Sequence, residues 1–217
     1  MLREHFIQAE DRLRKQGLNP KLLRRGELLS EADLQAVDQR TDRPMPAELR
    51  TFYIEMGDGF EFVPNDIPDS PLDGWEPNWL DDYAISNKGF YTAIEEEVSR
   101  ELASSHPRVA PEILREEAER RKKWTPFYGF VGQGDVLCLD SDGKVQFYQA
   151  MDWTASTSLC SGFVLADSFT DFFVKWSKYS FIAPGEGCGW TSFCWNCSGV
   201  FDWSPSHFRH GVVRGNL

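Results

Sequence analysis

From residue 51 to residue 87 the chain contains no lysine and no arginine. The same stretch holds nine carboxylates: Glu55, Asp58, Glu61, Asp66, Asp69, Asp73, Glu76, Asp81 and Asp82. It carries most of a formal net charge of -11 over 217 residues. So acidic a chain lacks the basic face that phosphates demand, which argues against nucleic acid as a direct partner. Long apolar runs are also missing. No stretch reaches the roughly 20 apolar residues of a membrane span. The opening MLREHFIQAEDRLRKQ is charged and amphipathic, unlike the unbroken apolar core of a secretion signal. A cytoplasmic protein is expected. Cysteine is sparse and odd in number, 5 in all, which fits reduced thiols or a metal site better than a disulfide framework. Histidine is sparser still, at positions 5, 106, 207 and 210, and no G-x-S-x-G, H-E-x-x-H or Gly-Lys-Ser/Thr occurs. The chain reads as non-catalytic; a small enzyme with a zinc-stabilised tail is the remaining alternative.

Aromatics, by contrast, are abundant, with 16 Phe and 8 Trp, enough for a well-filled core. Leu2, Phe6, Ala9 and Leu13 recur at helical spacing and predict a helix over 2–16, ended by Gly17 and Pro20. Ser30 and Asp33 resemble a capping box ahead of Leu34 and Val37. Pro46 opens a helix whose inner face is Leu49, Phe52, Tyr53 and Met56, with Gly57 closing it. Strands are expected at 60–63, 134–139, 144–149 and 162–166, and charged helices at 92–104 and 111–124. Asp167 or Ser168 caps a last helix with Phe169, Phe172, Phe173 and Trp176 on its buried side. This order predicts an α+β fold: one mixed or antiparallel sheet flanked by helices. The segments are an N-terminal helical extension (1–29), a central domain (30–182) and a Cys- and Trp-rich C-terminal extension (183–217).

The stretch FYGFVGQGDVLCLDSDGKVQFY, 127–148, invites a chemical reading that its spacing refuses. Its glycines form G-x-x-G-x-G ahead of a strand, the wrong order and context for dinucleotide binding. Aligned as a calcium loop, it places Cys138 and Gln149 where Asp and a bidentate Glu belong. A β-hairpin turning at Asp142-Gly143 remains.

PMPAELRTFYIEMGDGFEF, PFYGFVGQGDVLCLDSDGKV and LADSFTDFFVKW, in that order, resemble the SUKH superfamily. Pro46, Leu49, Phe52 and Gly57 match its first block. Gly134, Asp135, Leu139, Asp140, Gly143 and Val145 match the second, and Ser168, Phe169 and Phe172 the third. Met56-Gly57-Asp58-Gly59 replaces the usual Asn-Gly, and the insert between the first two blocks is long and charged. The resemblance implies an α+β fold and, in bacteria, an immunity protein that binds and blocks a toxin, often a nuclease. Regulatory interaction scaffolds share the fold. The matched residues read as structural and nominate no catalytic centre.

Function is therefore sought on either side of the hairpin. Before it, the acidic stretch is either a solvated loop region or a docking face for a basic toxin domain, with Asp58, Glu61, Asp66, Asp69, Asp73, Glu76, Asp81 and Asp82 as its contact residues. After it, Cys194, Cys197, His207 and His210 have the donor set for a structural zinc site, with Cys188 as a substitute. The alternative is that these thiols pack among Trp190, Trp195, Phe201 and Trp203, since free cysteine is commonly buried.

Overall fold

The computed structural model describes residues 2–17, 23–41, 43–62, 79–80, 83–84, 95–96, 99, 102–103, 110–129, 135–149, 163–181 and 200–203. Within them, five helices and six strands are continuous: α1 (Leu2–Lys15), β1 (Leu23–Arg25), α2 (Glu31–Asp38), α3 (Ala47–Met56), β2 (Phe60–Phe62), α4 (Pro111–Arg121), β3 (Thr125–Gly129), β4 (Asp135–Leu139), β5 (Val145–Gln149), β6 (Phe163–Ala166) and α5 (Phe169–Ser177). Four strands form an antiparallel sheet in the order β3-β4-β5-β6, and β1 and β2 pair antiparallel as a separate ribbon. The fold is α+β, as expected, with the β1–β2 ribbon added to the single sheet.

The helices follow from their stripes and caps. Leu2, Phe6, Ala9 and Leu13 are the buried side of α1, and Gly17, at φ 76°, ends the segment in a conformation that side chains resist. The capping box at α2 forms in full: the Asp33 amide donates to Ser30 Oγ at 3.3 Å and the Ser30 amide donates to Asp33 Oδ2 at 2.8 Å. The Ser30 hydroxyl and amide together hold the Asp33 carboxyl below its ordinary range. Arg50 of α3 reaches both Glu31 and Asp38, tying α2 to α3. Ser168, not Asp167, caps α5, its Oγ accepting from the Asp171 amide at 3.0 Å. Glu48 of α3 accepts the Thr170 amide at 3.1 Å, a carboxylate at the positive end of a helix.

Two strands have too little pattern to be read from sequence. β1 is three residues, Leu-Arg-Arg, paired to β2 with Leu23 opposite Phe62 and Arg25 opposite Phe60. β3 contains Pro126, which lacks the N–H an interior strand needs; the sheet order places it at an edge, and the register to β4 slips between Pro126 and Tyr128.

The hairpin forms between β4 and β5, with Leu139 opposite Val145 and Leu137 opposite Phe147. Its turn differs from the expected Asp142-Gly143 pair. The Asp140 amide donates to the Lys144 carbonyl at 2.9 Å, leaving a three-residue loop, and only Gly143 has a positive φ, 82°. A three-residue loop with glycine in the left-handed position is the next commonest solution after the two-residue turn. Asp140 fastens it: Oδ1 accepts the Asp142 and Lys144 amides, each at 2.9 Å, and Oδ2 accepts from Gln146 Nε2 at 2.7 Å.

The core is aromatic. Phe60 lies between 4.2 and 6.2 Å, ring centre to ring centre, from Phe6, Phe52, Trp79, Phe173, Trp176 and Phe181. It joins α1, α3 and α5 in one cluster, edge-on to Phe6, Phe52 and Phe173 and tilted against Trp79, Trp176 and Phe181. Both terminal flanks build into this cluster. Phe6 of α1 meets Phe181 at 5.7 Å, and the buried Ser180 hydroxyl donates to the Ala9 carbonyl at 3.2 Å. The Arg12 guanidinium donates to the Ser177 carbonyl, and partial burial lowers its pKa. At the other end, Val200 bridges Val164 in parallel, the Phe201 amide donates to the Val164 carbonyl at 2.8 Å, and Trp203 Nε1 donates to the Leu165 carbonyl at 2.7 Å. Residues 1–29 and 183–217 are thus segments of sequence, whereas the described parts of both share the core of the central domain.

Candidate partner-binding face

The acidic stretch begins at a turn that only glycine permits. The Gly57 amide donates to the Tyr53 carbonyl at 2.9 Å, the Asp58 amide to the Glu27 carbonyl at 2.7 Å, and the Gly26 amide to the Gly59 carbonyl at 3.0 Å. Gly57 and Gly59 have φ of 93° and 78°. A β-carbon on Gly57 would overlap the Glu27 carbonyl, and one on Gly59 would overlap the Trp79 indole. The departure Met-Gly-Asp-Gly is therefore a packing solution, in which a carbonyl and an indole occupy the space of two missing side chains.

Trp79 brings the far end of the stretch back to this turn. Its ring lies 4.8 Å from Phe60, 5.5 Å from Phe52 and 4.5 Å from Tyr128. Asp58 Oδ1 accepts the Leu80 amide at 2.6 Å, and Leu80, Tyr83 and Ala84 are buried beyond it. Trp79 thus packs against the same core as Phe60, and Asp58 joins the turn after α3 to Leu80 with one charge-assisted bond.

Of the eight carboxylates assigned to a docking face, Asp58 is half-buried and engaged in this closure. Glu61 lies in β2 opposite Arg24. Asp66, Asp69, Asp73, Glu76, Asp81 and Asp82 lie outside the described residues. So do Cys194, Cys197, His207, His210 and Cys188; among the described residues no three His, Cys, Asp or Glu side chains are grouped to hold a metal. Phe201 and Trp203 are described, and their neighbours are Phe163, Phe172 and Tyr179, at 6.0, 5.9 and 6.2 Å. The Tyr179 hydroxyl donates to the Trp203 carbonyl at 2.5 Å; burial, and then the charge of Asp202, raises its pKa. The anchor that sequence reasoning missed is Trp79, because the proline-rich acidic stretch that holds Trp75 and Trp79 has no periodicity to show that Trp79 is buried.

The residues shared with the family blocks have structural occupations. Leu49, Phe52, Leu139, Val145, Phe169 and Phe172 are buried, Pro46 and Ser168 stand at helix starts, and Gly57, Asp140 and Gly143 make turns. Gly134 lies outside the described residues, and Asp135 opens β4 opposite Gln149. These features define a class of α+β protein in which an antiparallel sheet is backed by helices and the recurring motifs are turns, caps and core. Residues 28–175 match the SMI1 / KNR4 family (SUKH-1), and the chain belongs to that family. The matched span begins two residues before Ser30 and ends inside α5, leaving α1 and the 200–203 strap outside it. No curated protein and no solved structure matches the chain. Among the described residues, no helix is long and apolar enough to cross a membrane.

Proposed function

We propose that the chain is a non-catalytic, cytoplasmic immunity protein that binds a basic bacterial toxin domain, a nuclease among the candidates, and blocks it. One observation carries the reading: within a stretch that holds no cation from 51 to 87, Asp58 bonds the Leu80 amide and Trp79 packs on the core, so the chain between them is closed into a loop. Closing its ends lowers the ordering cost of binding relative to a free tail of equal charge. The negative field speeds encounter with a cationic partner and disfavours acidic ones. Family membership supports a protein-binding role, and the structural occupation of the motif residues supports the absence of catalysis. A regulatory scaffold of the same fold is the second reading, since the family includes that use.

The test has two steps: whether a cationic toxin domain is encoded immediately beside the chain's gene, and co-expression of the chain with that domain. Growth is expected to be rescued, and the triple change Asp66→Lys, Asp69→Lys, Asp73→Lys is expected to abolish rescue and weaken binding roughly 100-fold at low salt. Unrescued growth removes the toxin-neutralising reading and leaves the scaffold. Unchanged affinity and salt dependence in the triple variant removes the acidic stretch as the interface.

A further inference from the structure

β6 ends the sheet, and the segment that covers its open edge comes from outside the family domain. Residues 200–203, Val-Phe-Asp-Trp, alternate as a strand does: Val200 is 62% exposed, Phe201 is buried, Asp202 is exposed and Trp203 is half-buried. Phe201 stands edge-on to Phe163 at 6.0 Å. The Trp203 ring lies 5.9 Å from Phe172 and stacks on Tyr179 at 6.2 Å. The backbone is held as well. The Phe201 amide donates to the Val164 carbonyl at 2.8 Å, the Trp203 indole to the Leu165 carbonyl at 2.7 Å, and the Tyr179 hydroxyl to the Trp203 carbonyl at 2.5 Å. Main-chain bonds to a sheet edge, with pockets for alternate side chains, are the means by which an exposed edge recognises an extended peptide. Among the described residues the parallel pairing is confined to the one bridge between Val164 and Val200, so side-chain fit, not a long ladder, holds the segment.

We propose that the groove formed by the β6 edge, Phe163, Phe172 and Tyr179 is a recognition site for an extended segment of a partner protein, and that residues 200–203 fill it as an internal pseudo-ligand. The segment already seated there states the chemistry of the occupant. It presents an aromatic side chain and, two residues on, a tryptophan, both turned to the groove, while the residues between face away and are unconstrained. The groove uses none of the carboxylates between 51 and 87 and is independent of the acidic stretch. Because the internal segment is tethered, a partner competes against an effective concentration of roughly millimolar. Its apparent affinity falls in proportion to the fraction of chains whose groove is open. The segment is therefore an inhibitory cover as well as a guide to the ligand.

The test is fluorescence anisotropy on the full chain with a labelled peptide, GVFDWSP, copied from 199–205, and a control, GVDFWSP, whose two aromatics fall on opposite faces of a strand. The double variant Phe201→Ala, Trp203→Ala leaves the groove open. It is expected to bind GVFDWSP about tenfold more tightly than the wild type does, and about tenfold more tightly than it binds GVDFWSP. Amide shifts are expected at 163–166 and 172–179. In the wild type, millimolar GVFDWSP is expected to speed hydrogen exchange of the Phe201 amide by freeing it from Val164. No binding by a folded double variant, equal binding of the two peptides, or wild-type binding as tight as the variant's overturns the groove. A double variant that does not fold leaves the decision to the wild type, where unchanged Phe201 exchange overturns it. Dimers that form in the wild type and not in the double variant make a second copy the occupant and overturn the partner.

Discussion

At the scale of single residues, the turn after α3 separates two costs that are usually confounded. Gly17 and Gly59 have nearly equal positive φ, 76° and 78°, but a β-carbon on Gly17 meets nothing within 4 Å, whereas one on Gly59 enters the Trp79 indole. Gly17→Ala is therefore expected to cost about 1 kcal/mol, the left-handed penalty alone. Gly59→Ala is expected to cost about 3 kcal/mol or more, since overpacking adds to it. Urea unfolding of the two variants measures the difference, and equal losses would show that Trp79 yields its place without cost. The same indole closes the acidic stretch, so a weakened Gly59 contact is also expected to loosen the proposed partner face.

At the scale of elements, the hairpin depends on a side chain outside its strands. Asp140 accepts two backbone amides and the Gln146 side-chain amide, which sits in a buried residue of β5. Asp140→Ala leaves these donors without their acceptor and is expected to destabilise the domain by about 2 kcal/mol, with the denaturant slope unchanged. Stability equal to wild type would mean that the strand pairing alone holds the turn. The helices and the hairpin were legible in the sequence, because apolar stripes, Ser caps and an Asp-Gly signal leave local marks. β1 and β3 were not. Their pairing is a property of partners far along the chain: β1 meets β2 across more than thirty residues of sequence, and β3 tolerates Pro126 only because it lies at the sheet's edge.

At the scale of the whole molecule, α1 and the 200–203 strap extend the family domain at two places. α1 covers Phe60 and Phe181 through Phe6, and the strap covers the free edge of β6. Unpaired sheet edges invite association with other chains, so covering β6 is protective as well as stabilising. Trp203→Ala removes a ring 5.9 Å from Phe172 and the indole donor to Leu165. It is expected to cost about 3 kcal/mol and to release the Phe201 amide to hydrogen exchange while β4 and β5 stay protected. Unchanged protection at Phe201 would show that the backbone bond to Val164 suffices to hold the strap. Of the candidate sites, the acidic stretch was legible as a run of charge, but its closure by Asp58 and Trp79 was not.

Composition and periodicity by themselves determined the class of fold, the inner faces of the helices, the hairpin and the absence of a cation between 51 and 87. These are local properties, set by side-chain spacing and by the φ that each residue tolerates. Only the tertiary structure decided that Trp79 and Leu80 return to the turn at Gly57–Gly59, that Arg50 ties α2 to α3, and that both flanks belong to one aromatic core. Those are contacts between distant residues, chosen by which buried surfaces fit together, and no local pattern records them.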